Sequence, residues 1–258
     1  MTQAPLHVET GGAGQGLLIM LHGLGATGAV WQRFVQTIEG RWPGRWLLVD
    51  LPGHGASAPA TDGYDIGMVT AMLGSTLRRH TRAGEQPVIL GHSYGGALGL
   101  ALATGWYGVA PMQVYAVGIK CAWSESDLFR MAQLATQPAK QFADEAAAWD
   151  RYLKVSGLYG LVEPGSALLA RGVAAQDTIW RLAMDPAANG CGRPPLAELL
   201  NASRCPLYLA RGGQDTLVTL QQLSALHTSA HDLGAHGHNI MVEAPEALWN
   251  WLAARLRN

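Results

Sequence analysis

Pro87-Val88-Ile89-Leu90-Gly91-His92-Ser93-Tyr94-Gly95-Gly96-Ala97-Leu98-Gly99-Leu100-Ala101-Leu102-Ala103 is the stretch whose reading decides the fold. Its first four residues form the short continuous apolar run of a strand buried on both faces, and residues 97–103 read as a helix packed closely against a sheet. Ser93 stands where the chain reverses between them. A reversal this tight forces the serine into strained backbone angles and tolerates only very small neighbours two places before and after it, which Gly91 and Gly95 supply. The turn exposes the Ser93 hydroxyl above the sheet and leaves the Tyr94 N–H at a helix N-terminus, where it can bind a developing oxyanion. Glycine fills 32 of 258 positions, so the G-x-S-x-G string says little by itself; the strand before it and the helix after it carry the reading.

A chain of 258 residues can bury a large core as one α/β domain or as a domain with an inserted cap. The net charge of −1, with both signs interspersed and no basic run, gives no electrostatic footprint for nucleic acid or an anionic membrane surface. The expected partner is a small, largely uncharged molecule. Cys121, Cys191 and Cys205 are odd in number and unpatterned in spacing, which argues against a disulfide framework and a cysteine-based zinc site and fits a reducing compartment. Residues 1–16 have no basic region followed by an apolar core, and no stretch approaches the roughly 18 apolar residues of a membrane span. A soluble, cytoplasmic protein is expected.

On either side of the central stretch, strand and helix signals alternate. A possible edge strand around residues 6–9 precedes Leu17-Leu18-Ile19-Met20-Leu21, apolar enough for a central strand, which ends in His22-Gly23-Leu24-Gly25. Glycines at alternate positions after a strand let main-chain N–H groups turn inward, so Leu24 is placed to offer a second oxyanion donor beside Tyr94, with His22 and Gly23 expected to line the pocket. Val30, Trp31, Phe34, Val35 and Ile38 recur at helical spacing, with Thr27 as the expected cap. Trp46-Leu47-Leu48-Val49 is the next strand and Asp50-Leu51-Pro52-Gly53-His54-Gly55 leaves it as a tight loop. There Asp50 is expected to hold backbone amides, and His54 to lie near the site without transferring protons. A helix over 64–80 and a strand over 114–119 complete the pattern of a mostly parallel twisted sheet with helices on both faces.

Between residues 121 and 203 the strand signals vanish, alanines and helical periodicities take over, and prolines punctuate the segment. It reads as an inserted helical cap, with 1–120 and 204–258 forming the core. Of its aromatics, Trp123, Trp149 and Trp180 are the pocket candidates. The core resumes with the strand Cys205-Pro206-Leu207-Tyr208-Leu209-Ala210 and the loop Arg211-Gly212-Gly213-Gln214-Asp215. Asp215 lies just beyond a strand's carboxyl end, on the edge that also carries Ser93, and suits a carboxylate that orients a histidine. Glu125 and Asp127, after the preceding strand, are the alternatives. His238, in Gly237-His238-Asn239 ahead of a closing helix, is the candidate base. His227 and His231 have an i, i+4 spacing, but no acidic residue completes a metal-ligand motif and His231 reads as part of a short strand, so no metal site is expected.

Ser93, Asp215 and His238 follow the order nucleophile, acid, histidine, which is one of the few that independent triads show. Together, Leu21-His22-Gly23-Leu24-Gly25, Asp50-Leu51-Pro52-Gly53-His54-Gly55, Gly91-His92-Ser93-Tyr94-Gly95-Gly96, Gly213-Gln214-Asp215 and Gly237-His238 followed by Glu243-Ala244-Pro245 resemble the α/β-hydrolase superfamily. The resemblance covers about 15–120 and 204–257, and it implies Ser93 as nucleophile, His238 as base and Asp215 as acid. The expected reaction is cleavage of a carboxylic ester of a small, largely apolar molecule through an acyl-enzyme, with no cofactor. Lactone, thioester or carbon–carbon bond cleavage and cofactor-free perhydrolysis could use the same groups, and a ligand-binding protein that lost the chemistry is the reading from a different class. Relatives that dehalogenate or open epoxides carry aspartate at the serine's position, so Ser93 argues against both.

Overall fold

The computed structural model describes residues 5–256. In chain order the first half of the core contains β1 (Val8–Gly12), β2 (Leu17–Leu21), α1 (Gln32–Ile38), β3 (Arg45–Val49), α2 (Ile66–His80), β4 (Val88–His92), α3 (Tyr94–Ala103) and β5 (Gln113–Val117). The middle contributes α4 (Glu125–Ala135), β6 (Gln141–Phe142), α5 (Glu145–Val155), β7 (Val173–Gln176), β8 (Ile179–Leu182) and α6 (Leu196–Asn201). The chain closes through β9 (Leu207–Arg211), α7 (Leu220–Leu226), β10 (His231–Asp232), α8 (Ile240–Glu243) and α9 (Pro245–Leu256).

β1-β3-β2-β4-β5-β9-β10 form one seven-stranded sheet, parallel throughout except for β1, which runs antiparallel to β3 at the edge. The central strands are apolar without interruption because both of their faces are covered. Leu17, Ile19 and Leu21 enter an apolar layer with Val69, Leu73 and Leu98 of α2 and α3, whereas Leu18 and Met20 enter the opposite layer with Phe34 of α1 and Leu248 and Trp251 of α9. Each such side chain taken from water contributes about 1.5–3 kcal/mol. Register then fixes where the chemistry sits. Leu21 pairs with Val49 and Gly91, Gly91 with Ala116, and Val117 with Ala210, so the carboxyl ends of β2, β3, β4, β5 and β9 finish at one edge. The loops that begin at His22, Asp50, Ser93, Gly118 and Gly212 all leave from it.

Two sequence expectations need correction. Thr27 precedes a 3₁₀ turn (Gly28–Trp31) that leads into α1, and its hydroxyl does not cap that turn; it donates to the Ala170 carbonyl at 2.9 Å. The middle segment is not purely helical, because β6, β8 and β7 form a three-stranded antiparallel sheet. Gln176 pairs with Ile179 across the two-residue turn Asp177-Thr178, with Asp177 at φ 53. Asn-Gly or Asp-Gly usually marks such a hairpin; here Asp177 takes the left-handed conformation with no glycine beside it, so the turn carries no strong sequence signal.

The middle segment rests on the core through Tyr152, Leu153, Leu158, Leu168 and Leu169, which join the apolar layer containing Leu18 and Met20. Arg171 adds an ionic tie: its Nε lies 2.8 Å from the Asp50 carboxylate, and a second nitrogen pairs with Glu9. α4 is held differently. A capping box joins Ser124 and Asp127 at its start, yet none of its residues is buried, and it packs against the 3₁₀ turn Pro186–Cys191. Among the described residues no helix is long and apolar enough to cross a membrane.

Candidate active site

The strand-to-helix turn has the geometry its sequence demands. Ser93 sits at φ 51, ψ −116, outside the regions an L-residue prefers, and its N–H donates to Val117 O at 2.8 Å, which ties the turn to β5. A Cβ on Gly91 would meet the Gly95 carbonyl and lie 2.6 Å from the Gly96 Cα, and one on Gly95 would meet the Leu21 and His22 carbonyls. Two glycines are therefore required by close backbone approach. Ser93 O accepts from Gly96 and Ala97, which begins α3 and leaves the Tyr94 N–H in its first turn.

Asp215 is 4% exposed and its Oδ2 lies 2.9 Å from His238 Nδ1. The other carboxylate oxygen accepts from the Leu217 N–H at 2.8 Å, so both oxygens are held. Gly118, at φ 66, passes directly beneath this pair; a Cβ there would stand 3.2 Å from the His238 ring and 3.3 Å from Asp215 Oδ2. Neither Glu125 nor Asp127 bonds the imidazole, whose Nδ1 is held by Asp215. Both lie in the first turn of α4, where Asp127 closes the capping box and pairs with Lys120 at 2.9 Å.

Several supporting residues had no role in the sequence reading. Arg211 donates to the carbonyls of Val218, Gly213 and Asp215 and pairs with Asp232, which stiffens the acid loop. Glu243 accepts from the N–H groups of Gly237 and Asn239 and so brackets His238 from both sides. Asn239 Nδ2 reaches the Gly157 carbonyl just beyond α5, linking the histidine loop to the middle segment. His92 donates from Nε2 to the His238 carbonyl at 3.0 Å with the two rings 4.5 Å apart, and burial drives its pKa well below the ordinary histidine value. The Gly-His-Ser and Glu-Ala-Pro sequence contexts flagged two of these positions, but only the fold shows what they touch.

Ser93, Tyr94 and His238 line one cavity of about 380 Å³, together with Gly23, Leu24, Ala97, Ile119, Trp123, Met131, Val155, Cys191 and Leu217. No carboxylate is among its lining residues, whereas Lys120 and Lys154 both are. Of the pocket candidates, Gly23 and Trp123 are there. Trp123 donates to the Lys120 carbonyl and carries the Lys120 ammonium 4.7 Å above its ring. His22, Trp149 and Trp180 are not. His22 is wholly buried behind the loop, Trp149 bonds Glu145 and packs edge-on against Tyr152 beside the core, and Trp180 lies on β8 opposite Phe142 and Ala175. Tryptophans on small elements follow whichever layer covers them, which composition does not specify. Burial also pushes the Cys191 thiol up to about 11, which keeps it protonated against the cavity.

Asp50 takes the structural part expected of it, accepting from the Gly28 and Ala56 N–H groups at 2.7 and 3.0 Å. His227 bonds Ser229 and His231 belongs to β10, and among the described residues no group of three or more His, Cys, Asp or Glu side chains could hold a metal ion.

A doubly covered parallel sheet, with a serine at a strained strand-to-helix turn and an Asp-His pair at the same edge, defines a hydrolase fold. The chain belongs to the alpha/beta hydrolase family, whose model matches residues 18–251. It is 36% identical over 97 residues to the magnesium-chelatase 30 kDa subunit of Rhodobacter capsulatus, a match covering 37% of this chain and 33% of that one. It is 37% identical over 98 residues to a pimeloyl-(acyl-carrier protein) methyl ester esterase of Vibrio parahaemolyticus, covering 38% and 34%. The matches thus span about a third of the length of these relatives. Among solved structures, E-2-(acetamidomethylene)succinate hydrolase superposes with a TM-score of 0.78 at 20% identity, covering 98% of this chain and 95% of that one, which is a likeness of fold.

Proposed function

We propose that the chain is a serine hydrolase that cleaves carboxylic esters of small, largely apolar molecules through an acyl-enzyme. The observation that carries this is the Asp215–His238 hydrogen bond at 2.9 Å beside a cavity lined by Ser93 at its strained turn. With Nδ1 held by the carboxylate, Nε2 is the nitrogen left to take the Ser93 proton as Oγ attacks the ester carbonyl. Asp215 keeps the imidazole oriented and stabilises it when charged. The carbonyl oxygen becomes an oxyanion between the N–H groups of Leu24 and Tyr94, where loss of one donor typically costs about 3–4 kcal/mol. His238 returns the proton to the departing alcohol. Water, deprotonated by the same nitrogen, then releases the acid and restores the serine.

The cavity wall supports the substrate class. Leu24, Ala97, Ile119, Met131 and Leu217 offer dispersion contacts and no anion repels a carboxylic product, while a volume of about 380 Å³ suits a short acyl or alcohol group rather than a long lipid. The ester-cleaving relative named above points the same way. An alkyl fluorophosphonate is expected to label wild-type protein stoichiometrically at Ser93, and Ser93→Ala should fold normally but neither label nor turn over short p-nitrophenyl esters. A folded wild type that resists labelling, or that turns over a vinylogous diketone, lactone, thioester or peroxide far faster than every ester, overturns the proposal.

A further inference from the structure

Of the buried histidines that take no part in the proposed reaction, His22 and His54 both grip the loop that carries Leu24. Their rings meet edge to face with centroids 5.2 Å apart behind the cavity. His22 Nε2 accepts from the Leu51 N–H at 2.9 Å; a backbone N–H can only donate, so the ring proton sits on Nδ1, which donates to Gly23 O at 2.8 Å. The same logic holds for the other ring. His54 Nε2 accepts from the Gly25 N–H at 3.2 Å and Nδ1 donates to Pro52 O at 2.9 Å. Each imidazole is thus neutral, in one tautomer, with a donor and an acceptor both engaged.

The consequence falls on the peptide units either side of Leu24. The peptide is trans, so with the Gly23 carbonyl held by His22 and by the Ala26 N–H, the Leu24 N–H of the same unit points to the opposite side. The next unit is held through its own N–H at Gly25, whose φ of 80 turns the chain back. Leu24 is therefore pinned before and behind. The anchors for both rings, Leu51 N–H and Pro52 O, belong to the loop that Asp50 stiffens and Arg171 ties down.

We infer that His22 and His54 are positioning residues for the oxyanion site, holding the Leu24 N–H at its angle from opposite ends of the loop. This rests on the proposed serine-hydrolase reading. Preorganised donors act because they need no reorientation as charge develops, so loosening the loop lowers kcat and leaves ground-state binding almost untouched. Burial holds both imidazoles below the usual histidine range, His22 at about 3, which keeps the acceptor nitrogens unprotonated.

The test uses the different reach of Asn and Gln, whose terminal amides substitute for Nδ1 and Nε2 respectively. At position 54 the loop contact is made by Nε2, so His54→Gln is expected to keep kcat within about threefold of wild type while His54→Asn loses roughly 10–100-fold. At position 22 the loop contact is made by Nδ1, so the order reverses: His22→Asn stays close and His22→Gln falls. KM for a short ester should move less than threefold in all four, and the rate of fluorophosphonate labelling should fall with kcat. The same order at both positions, equal activities, or kcat tracking melting temperature overturns the inference. If a position-22 pair fails to fold, the position-54 pair decides alone. In the wild type at pH 7.5, ¹⁵N shifts should report two neutral Nδ1–H imidazoles, and a charged ring or Nε2–H tautomer there also overturns it. A folded wild type with no labelling removes the hydrolase reading and this inference together, whereas an active wild type with no crossing order removes this inference only.

Discussion

Lowering the pH from 7 to 5 is expected to remove about 2 kcal/mol of folding stability through His22 alone. The ring is fully buried, Leu51 directs an N–H at its Nε2, and burial followed by the neighbouring His54 brings its pKa to about 3 in the folded chain. In the unfolded chain the same side chain titrates near 6.5. Between these values the unfolded state binds the extra proton, so unfolding becomes easier as pH falls, and the loss is complete only when pH passes below the folded value. At pH 5 the unfolded ring is almost fully protonated and the folded ring is neutral. The roughly 1.5 pH units below 6.5, at about 1.4 kcal/mol each, give the figure. It would be the same for any folded pKa well under 5. Urea unfolding at pH 7, 6 and 5 measures it, with His22→Asn, which has no titrating group there, as the control. The wild type should lose about 2 kcal/mol more over this range than the variant. Equal pH slopes for the two proteins would refute the picture of a neutral, doubly bonded imidazole.

Asp215→Asn should cut ester turnover by on the order of 10⁴ with little loss of stability, and Glu125→Gln should leave turnover unchanged; the reverse ranking in steady-state assays would move the acid to the α4 side. Arg171→Met leaves the buried Asp50 carboxylate with only its two N–H partners and should cost about 2–3 kcal/mol by urea unfolding, less than for a fully buried pair because Arg171 is partly exposed. The double variant Arg171→Met/Asp50→Asn should recover part of that loss. Gly118→Ala puts a Cβ against both His238 and Asp215 at a positive φ, so turnover and melting temperature should fall together.

The parallel core was legible because each of its central strands must be apolar on both faces, and runs such as Leu17-Leu18-Ile19-Met20-Leu21 are short, continuous and flanked by glycines. The serine turn was legible because strain there demands glycines at 91 and 95. Asp215 followed from its loop position just beyond a strand's carboxyl end, and His238 from its place ahead of the closing helix together with the order of the three residues and the family resemblance. What stayed hidden depends on tertiary placement. The hairpin at Asp177-Thr178 lacks glycine, Trp149 and Trp180 face layers that only the assembled middle segment creates, and His22 passed for a wall of the pocket although it sits behind it. Glu243 and Arg211 act on main-chain groups from several residues away, a relation that no local pattern encodes.

α4 contributes Met131 to the cavity wall but buries no side chain of its own, and Phe129 on its outer side is 66% exposed. So little apolar area holds this helix that detaching it costs a small fraction of global unfolding. Its amides should therefore trade hydrogen for deuterium long before those of β4 or α3, and one wall of the cavity has its own melting behaviour, separate from the sheet that fixes Ser93.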